Sequence, residues 1–158
     1  IHIRSDVERK RLFGLTPLAR TDTQAGSVIY TAPATQRTYA RLAEIAREAQ
    51  AAGYAVVLDA TFLSAQQRAP FQALGSNTWI VSCETPEAVL RDRVRSRYQA
   101  GTDVAEADLA VLERQLATRE ALTKDEMQQT IVIDTQQPFD ASTLAGQLRP
   151  RGEKDKKR

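Results

Sequence analysis

Two aspartates stand where strand-like runs give way to helical patterns, and two arginines recur one helical turn apart further along the chain. Asp59 closes the apolar run 54–58, Thr61 follows two residues later, and Ser64 opens a new helical pattern. In open α/β sheets, ligands bind just outside the carboxyl ends of the strands. A carboxylate there is either a site residue or a satisfied loop cap, and Asp59 is taken as a site. Asp6 follows the β-branched run 1–3 and falls in the first turn of a helix, with Arg9 one turn on and on the same face. The positive end of a helix favours an acid and would account for Asp6 alone; the pairing with Arg9 adds a functional reading. In Leu90-Arg91-Asp92-Arg93-Val94-Arg95-Ser96-Arg97-Tyr98, the guanidiniums of Arg93 and Arg97 can converge on one anion. The competing reading is a solvated face with salt bridges to acids such as Asp92 and Glu87.

Composition bounds what could position these groups. A chain of 158 residues builds one domain with a real core. Its 42% hydrophobic and 27% charged residues are those of a globular protein. No stretch approaches the ~20 apolar residues of a membrane span. The start, Ile-His-Ile-Arg-Ser-Asp, has no features of a signal peptide and resembles the middle of a strand, as if the chain began inside a longer protein. Cys83 is the single cysteine, which excludes an internal disulfide and a cysteine-cluster metal site. The single histidine, His2, lies at the very start, where a frayed-end residue is expected rather than a member of a Ser/His/Asp triad, and the composition fits the cytoplasm. The net charge of +2 comes from residues 149–158, which carry six basic and two acidic side chains. Subtracting these from 22 basic and 20 acidic residues leaves 16 against 18, a net of −2. The tail is expected to be solvated and disordered, and the remainder has no broad basic footprint for nucleic acid.

Along the chain, Ser5 and Glu8 have capping-box spacing for a helix from Asp6 to about Phe13 that stops at Gly14. Residues 16–33 form a loop longer than the usual ~12–15 residues, and a long amphipathic helix spans 34–52. A strand over 54–58, without alternation, suits one covered on both faces. A helix capped by Ser64 and Gln67 runs to about Leu74 with Arg68 on its first turn, and a second strand covers 78–83. Thr85 caps a helix with Pro86 at its first position, reaching about Tyr98. Residues 99–103 suit a hinge. Asp103 and Glu106 open a helix to about Arg119, and Thr123 with Glu126 caps a short one. A third strand covers 130–134, and a last helix 140–148. Strands alternating with helical segments of this length give an α/β fold with a parallel sheet and helical crossovers.

Four stretches, taken in order, resemble the P-loop kinase group of zeta-toxin-like and polynucleotide-kinase-like proteins: Ile3-Arg4-Ser5-Asp6-Val7-Glu8-Arg9, the run from Gly53 to Thr61, Arg68, and Leu90–Arg93 with Arg97. The chain is similar in particular to the predicted ATP-dependent kinase domain found fused behind an aminoglycoside-phosphotransferase-like domain in bacteria. The resemblance covers most of residues 1–135 and implies a three-layer fold, a parallel sheet flanked by helices. It implies ATP and Mg as cofactors, and as acceptor a hydroxyl on a small molecule or a nucleic-acid end. A fused N-terminal domain is a further implied partner, and no membrane is involved. Catalytic roles are implied for Asp6, which would accept the proton of the acceptor hydroxyl, and for Arg9 and Arg97. Asp59 would hold substrate or, through water, magnesium; Thr61 and Arg68 would shape the acceptor pocket. Arg93 and Arg97 would belong to a lid over the nucleotide phosphates, at about 91–119. Phosphoryl transfer is mostly positioning and charge neutralisation, which suits these residue types.

One motif of that group has no counterpart. None of the seven glycines begins Gly-x-x-x-x-Gly-Lys-[Ser/Thr], the loop whose amides and lysine cradle phosphates. The expectation is a domain over 1–148 lacking the first strand and the phosphate loop of a kinase, inactive by itself, with strand edges left open. In the group, the missing strand sits between those expected at 54–58 and 78–83. A non-catalytic kinase-like binding module and a nucleic-acid binder remain the alternatives.

Overall fold

The computed structural model describes residues 1–21, 28–75, 77–101 and 103–148, so the basic tail at 149–158 lies outside the described residues. In chain order the elements are β1 (His2–Arg4), α1 (Ser5–Leu12), α2 (Ala32–Ala51), β2 (Val57–Asp59), α3 (Ala65–Gln72), β3 (Ile80–Glu84), α4 (Glu87–Ala100), α5 (Leu109–Thr118), α6 (Lys124–Met127), β4 (Thr130–Asp134) and α7 (Ala141–Gln147). This is the mixed α/β order expected, and both strand ladders are parallel. The ladders do not merge. β1 pairs with β2, β3 pairs with β4, and among the described residues no hydrogen bonds join β2 to β3. Where one parallel sheet flanked by helices was expected, the described residues hold two separate parallel pairs. Each keeps unpaired edge groups, which a strand of another segment or another chain could satisfy. Val57 and Val132, 62% and 60% exposed, show how thinly the pairs are covered.

The core sits against β1 and β2. Ile3, Tyr39, Leu42, Ala43 and Phe71 are buried together, with Leu58, Phe62 and Leu74 packed around them. Full burial of a side chain such as Leu42 stabilises by about 1.5–3 kcal/mol. Tyr39, Phe62 and Phe71 meet edge to face, with ring centroids 5.2–6.4 Å apart. Each such aromatic pair adds about 0.5–1.5 kcal/mol beyond its buried area. The helix that supplies Tyr39 and Leu42, α2, forms because its start is capped and its apolar residues recur at helical spacing. Thr31 accepts a bond from the Ala34 amide, Pro33 stands in the first turn, and a 20-residue run follows with Thr38, Tyr39, Leu42, Ala43, Ala46 and Ala49 inward. Gly53, at φ +85°, turns the chain back toward β2.

Of the five side-chain caps expected from the sequence, two form and three do not. Ser64 with Gln67 and Thr123 with Glu126 form complete capping boxes at α3 and α6. At α1 the helix begins on Ser5 itself, after Arg4, with no side-chain cap, because Glu8 turns to Arg11 instead. At α4, Pro86 is the capping residue and Thr85 makes no cap. The helix expected from Asp103 begins only at Leu109, capped by Asp108. Asp103 and Glu106 are drawn off to cations on β1 and α1.

Candidate functional site

Parallel pairing sets the geometry of the site. The register aligns Arg4 with Asp59, so the last residues of β1 and β2 lie side by side at the carboxyl end of the pair. Arg4 Nε is 3.3 Å from Asp59 Oδ2, and His2 Nε2 is 3.6 Å from the same oxygen. The Asp59 side chain is 54% exposed, so it faces solvent as a site residue would. Two residues beyond β1, Asp6 stands in the first turn of α1. Burial pushes its carboxyl above the usual range, and the Asp59 charge pushes the same way, while Arg9, Arg4 and Lys10 act against them. Asp6 and Asp59 thus share one electrostatic neighbourhood with Arg4. Asp6 makes no hydrogen bond among the described residues.

Arg9 is buried, at 7% exposure. Its Nη1 donates to the Ile29 carbonyl at 2.7 Å and to Thr35 Oγ1 at 3.2 Å, while its guanidinium lies 5.1 Å from the centre of the Tyr30 ring. Burial lowers its pKa, and the Asp6 charge opposes that. Among the described residues, the buried Arg9 Nε has no acceptor. The Tyr30 ring lies against Arg9; although the residue is 44% exposed, its phenol is pushed up to about 12, first by desolvation and then by the charges of Asp6 and Glu106.

Thr61 lies beyond Asp59, with Oγ1 3.5 Å from the Tyr39 hydroxyl. That hydroxyl also accepts from the Phe62 amide at 3.0 Å, and Phe62 has φ +45°. A bulky residue in the left-handed region is uncommon and marks stored strain. The Tyr39 hydroxyl and the aromatic cluster hold the bend that presents Thr61.

The remaining sequence candidates are committed elsewhere. Arg68 is 5% exposed, and every bond it makes is internal: Nε and Nη2 to Glu126 at 2.6 and 3.1 Å, with others to the carbonyls of Phe62, Glu120 and Ala121. Its guanidinium braces the segment behind Thr61 against α6. Arg93 and Arg97 do not converge. Arg93 donates to Thr135 Oγ1 and the Thr135 carbonyl, tying α4 to the end of β4. Arg97 acts electrostatically on Asp103, and among the described residues its buried Nε has no acceptor. A separate cavity of about 380 Å³ between α4 and α5 is lined by Arg95, Tyr98, Gln99, Asp108, Leu109 and Ala110, and contains none of the candidate site residues.

Sequence reasoning missed Lys10, the largest fully buried side chain among the described residues. Its Nζ reaches the carbonyls of Pro17 and Val104 at 3.0 and 2.9 Å and pairs with Glu106 Oε1 at 2.5 Å. Burial would raise the Glu106 carboxyl, but the bonds from Lys10 and Thr21 outweigh it and hold the carboxyl below the usual range. Arg4 was passed over as well. A register rule could have found it once β1 and β2 were paired; nothing local marks Lys10.

A family model described as an AAA domain matches residues 1–122. The chain belongs to that AAA domain family. The match makes it a P-loop, kinase-like domain of the nucleotide-binding type and spans all seven candidates from Asp6 to Arg97. No curated protein and no solved structure matches it. The AAA domain's strand pairs, helices and carboxylate-lined strand ends are compatible with a P-loop kinase-like fold.

Proposed function

We propose that this AAA domain is the acceptor-side part of an ATP-dependent kinase that transfers a γ-phosphoryl group to a hydroxyl. The observation that carries this is Asp6: a half-buried carboxyl with a raised pKa, beside Arg9 and Arg4, at the carboxyl end of a parallel strand pair. A base works best when its pKa is drawn toward the operating pH, and burial does that here. In this reading Asp6 takes the acceptor's proton. Arg9, fixed by Ile29 and Thr35, keeps a positive charge beside it, and Asp59 with Thr61 forms the acceptor wall. Arg68 supports Thr61 from behind, Arg97 faces the phosphates, and Arg93 anchors α4.

The fit to the cofactors is uneven. Magnesium is commonly held by one or two carboxylates together with substrate phosphates, and Asp59 can supply one of them. Among the described residues no group of three or more acids, histidines or cysteines could cage a metal alone. The triphosphate of ATP does not fit residues 1–158, because no stretch supplies a Gly-rich phosphate cradle with its lysine. The open edges of β2 and β3 support a further strand between the two pairs, carrying that loop from a segment outside these residues. That is the resemblance's expectation of a domain inactive by itself. The second reading, a non-catalytic kinase-like module, is favoured by the same missing loop.

The polypeptide that carries this chain decides between them. A Gly-rich loop ending in Lys-Ser or Lys-Thr on the segment before Ile1 supports the kinase. Its absence from the whole polypeptide removes the kinase reading and leaves the binding module.

A further inference from the structure

The bend that presents Thr61 is gripped from far along the chain. Glu120, just beyond α5, meets it with backbone and side chain together. Its amide donates to the Leu63 carbonyl at 2.8 Å, and its carboxylate oxygen Oε2 accepts from the Ala65 amide at 2.7 Å. Ala65 is the first residue of α3, where amides lack partners within the helix and a negative charge is favoured. The same bend is held at Phe62 by the Tyr39 hydroxyl on its amide and by Arg68 on its carbonyl. A left-handed φ of +45° at Phe62 persists only where the surroundings fix it from several sides. Glu120 can serve as one of them because it is itself held. Ahead of α5, Asp103 pairs with Arg4 and Glu106 with Lys10, and within α5 Glu113 pairs with Arg91 of α4. Behind Glu120, the Ala121 carbonyl accepts from Arg68.

We propose that Glu120 is a positioning residue for Thr61, tying the acceptor wall to the end of α5. Its amide and carboxylate act on either side of Ser64, the cap of α3, so together they set the angle at which the chain leaves Thr61 for the helix. α5 lies in the segment that the resemblance makes a lid, and a displacement of that helix reaches Thr61 through Glu120. At its other end the same segment is fastened by Lys10 to α1, the helix that carries Asp6. In treating Thr61 as acceptor wall, the inference rests on the function proposed above. Its test reads the position of the bend rather than transfer, so the two fail separately.

The test is NMR of the 158-residue chain with Glu120→Ala and with Glu120→Gln. Glu120 is exposed, so both variants should keep the fold. The amide of Phe62 is bonded to Tyr39 and not to Glu120, so its exchange reports the bend and not a severed bond. In Glu120→Ala that exchange should accelerate at least about threefold, the scale of losing a helix cap, and the Thr61 methyl resonance should shift. Glu120→Gln keeps an oxygen for the Ala65 amide and should restore both signals. Exchange at Leu42 and Ala46, within α2, should stay unchanged in both variants. Glu44→Gln removes an exposed acid paired with Arg41 and should leave the bend as it is. Unaltered Phe62 exchange in Glu120→Ala, acceleration that extends equally to α2, no restoration by Glu120→Gln, or an equal effect of Glu44→Gln overturns the proposal.

Discussion

Arg68 and Glu126 meet in a buried two-bond pair, Nε to Oε1 at 2.6 Å and Nη2 to Oε2 at 3.1 Å, across 58 residues of sequence. Glu126 also completes the capping box of α6, so one carboxylate serves a helix start and a distant guanidinium. Removing one partner of a buried pair leaves an uncompensated charge and costs about 3–5 kcal/mol. Arg68→Ala should lower unfolding stability by about that amount in urea titrations. Replacing both Arg68 and Glu126 with apolar residues should cost less than the sum of the single changes. Additive losses would show that the two side chains act independently.

Asp6 carries a pH signature with a definite sign. Its folded pKa lies above the ordinary carboxyl value of 3.8, because burial penalises the charge. The folded state therefore holds the proton more tightly than the unfolded one. The stability this gives is fully present below the unfolded value and is lost as pH rises through the folded value. At pH 7 the charged Asp6 destabilises the fold, so Asp6→Asn should unfold at a higher urea concentration than the unaltered chain. That advantage should shrink as pH falls toward 4. Equal midpoints for the two chains across this range would contradict the burial of Asp6.

Lys10 should prove as costly to remove as a core residue. With Lys10→Met, the Pro17 and Val104 carbonyls and Glu106 lose a shared donor. A loss of about 3 kcal/mol is expected. Glu106→Gln should cost less, since the Thr21 amide and hydroxyl still have an oxygen to reach. Chemical denaturation of the two variants gives the order directly, and the reverse order would show that Glu106 rather than Lys10 is the centre of that junction.

Tyr39→Phe isolates the strained bend before α3. It keeps the aromatic packing but removes the hydroxyl that accepts from the Phe62 amide. A loss of about 1–3 kcal/mol is expected from leaving that amide unsatisfied. Hydrogen exchange at Phe62 and Leu63 should accelerate more than exchange within α2. Uniform acceleration across both would place the hydroxyl's effect in the whole core rather than in the bend.

Much of the element order was legible because its signals are local. The apolar spacing in 34–52, the Ser64 and Thr123 boxes, and the β-branched run at 130–134 all act within a few residues. What failed depended on distant partners. Ser5 and Glu8 carry a capping spacing that Glu8 does not use, and Asp103 and Glu106 look like a helix start until Arg4 and Lys10 claim them. The same limit applies to the site. Asp6 and Asp59 were visible as acids at strand ends, whereas the commitment of Arg68 to Glu126 and of Arg93 to Thr135 requires contacts 58 and 42 residues apart. Helical spacing brings Arg93 and Arg97 onto neighbouring positions, but it does not decide what each guanidinium meets.

The central claim is that Asp6 takes a proton during phosphoryl transfer. Its most direct test is the transfer of labelled γ-phosphate from ATP to a hydroxyl acceptor by the complete polypeptide, with and without Asp6→Asn. The account predicts a fall of about 10²–10⁴-fold in that variant, in a protein at least as stable as the unaltered one. Transfer at the unaltered rate by a folded Asp6→Asn protein would contradict it.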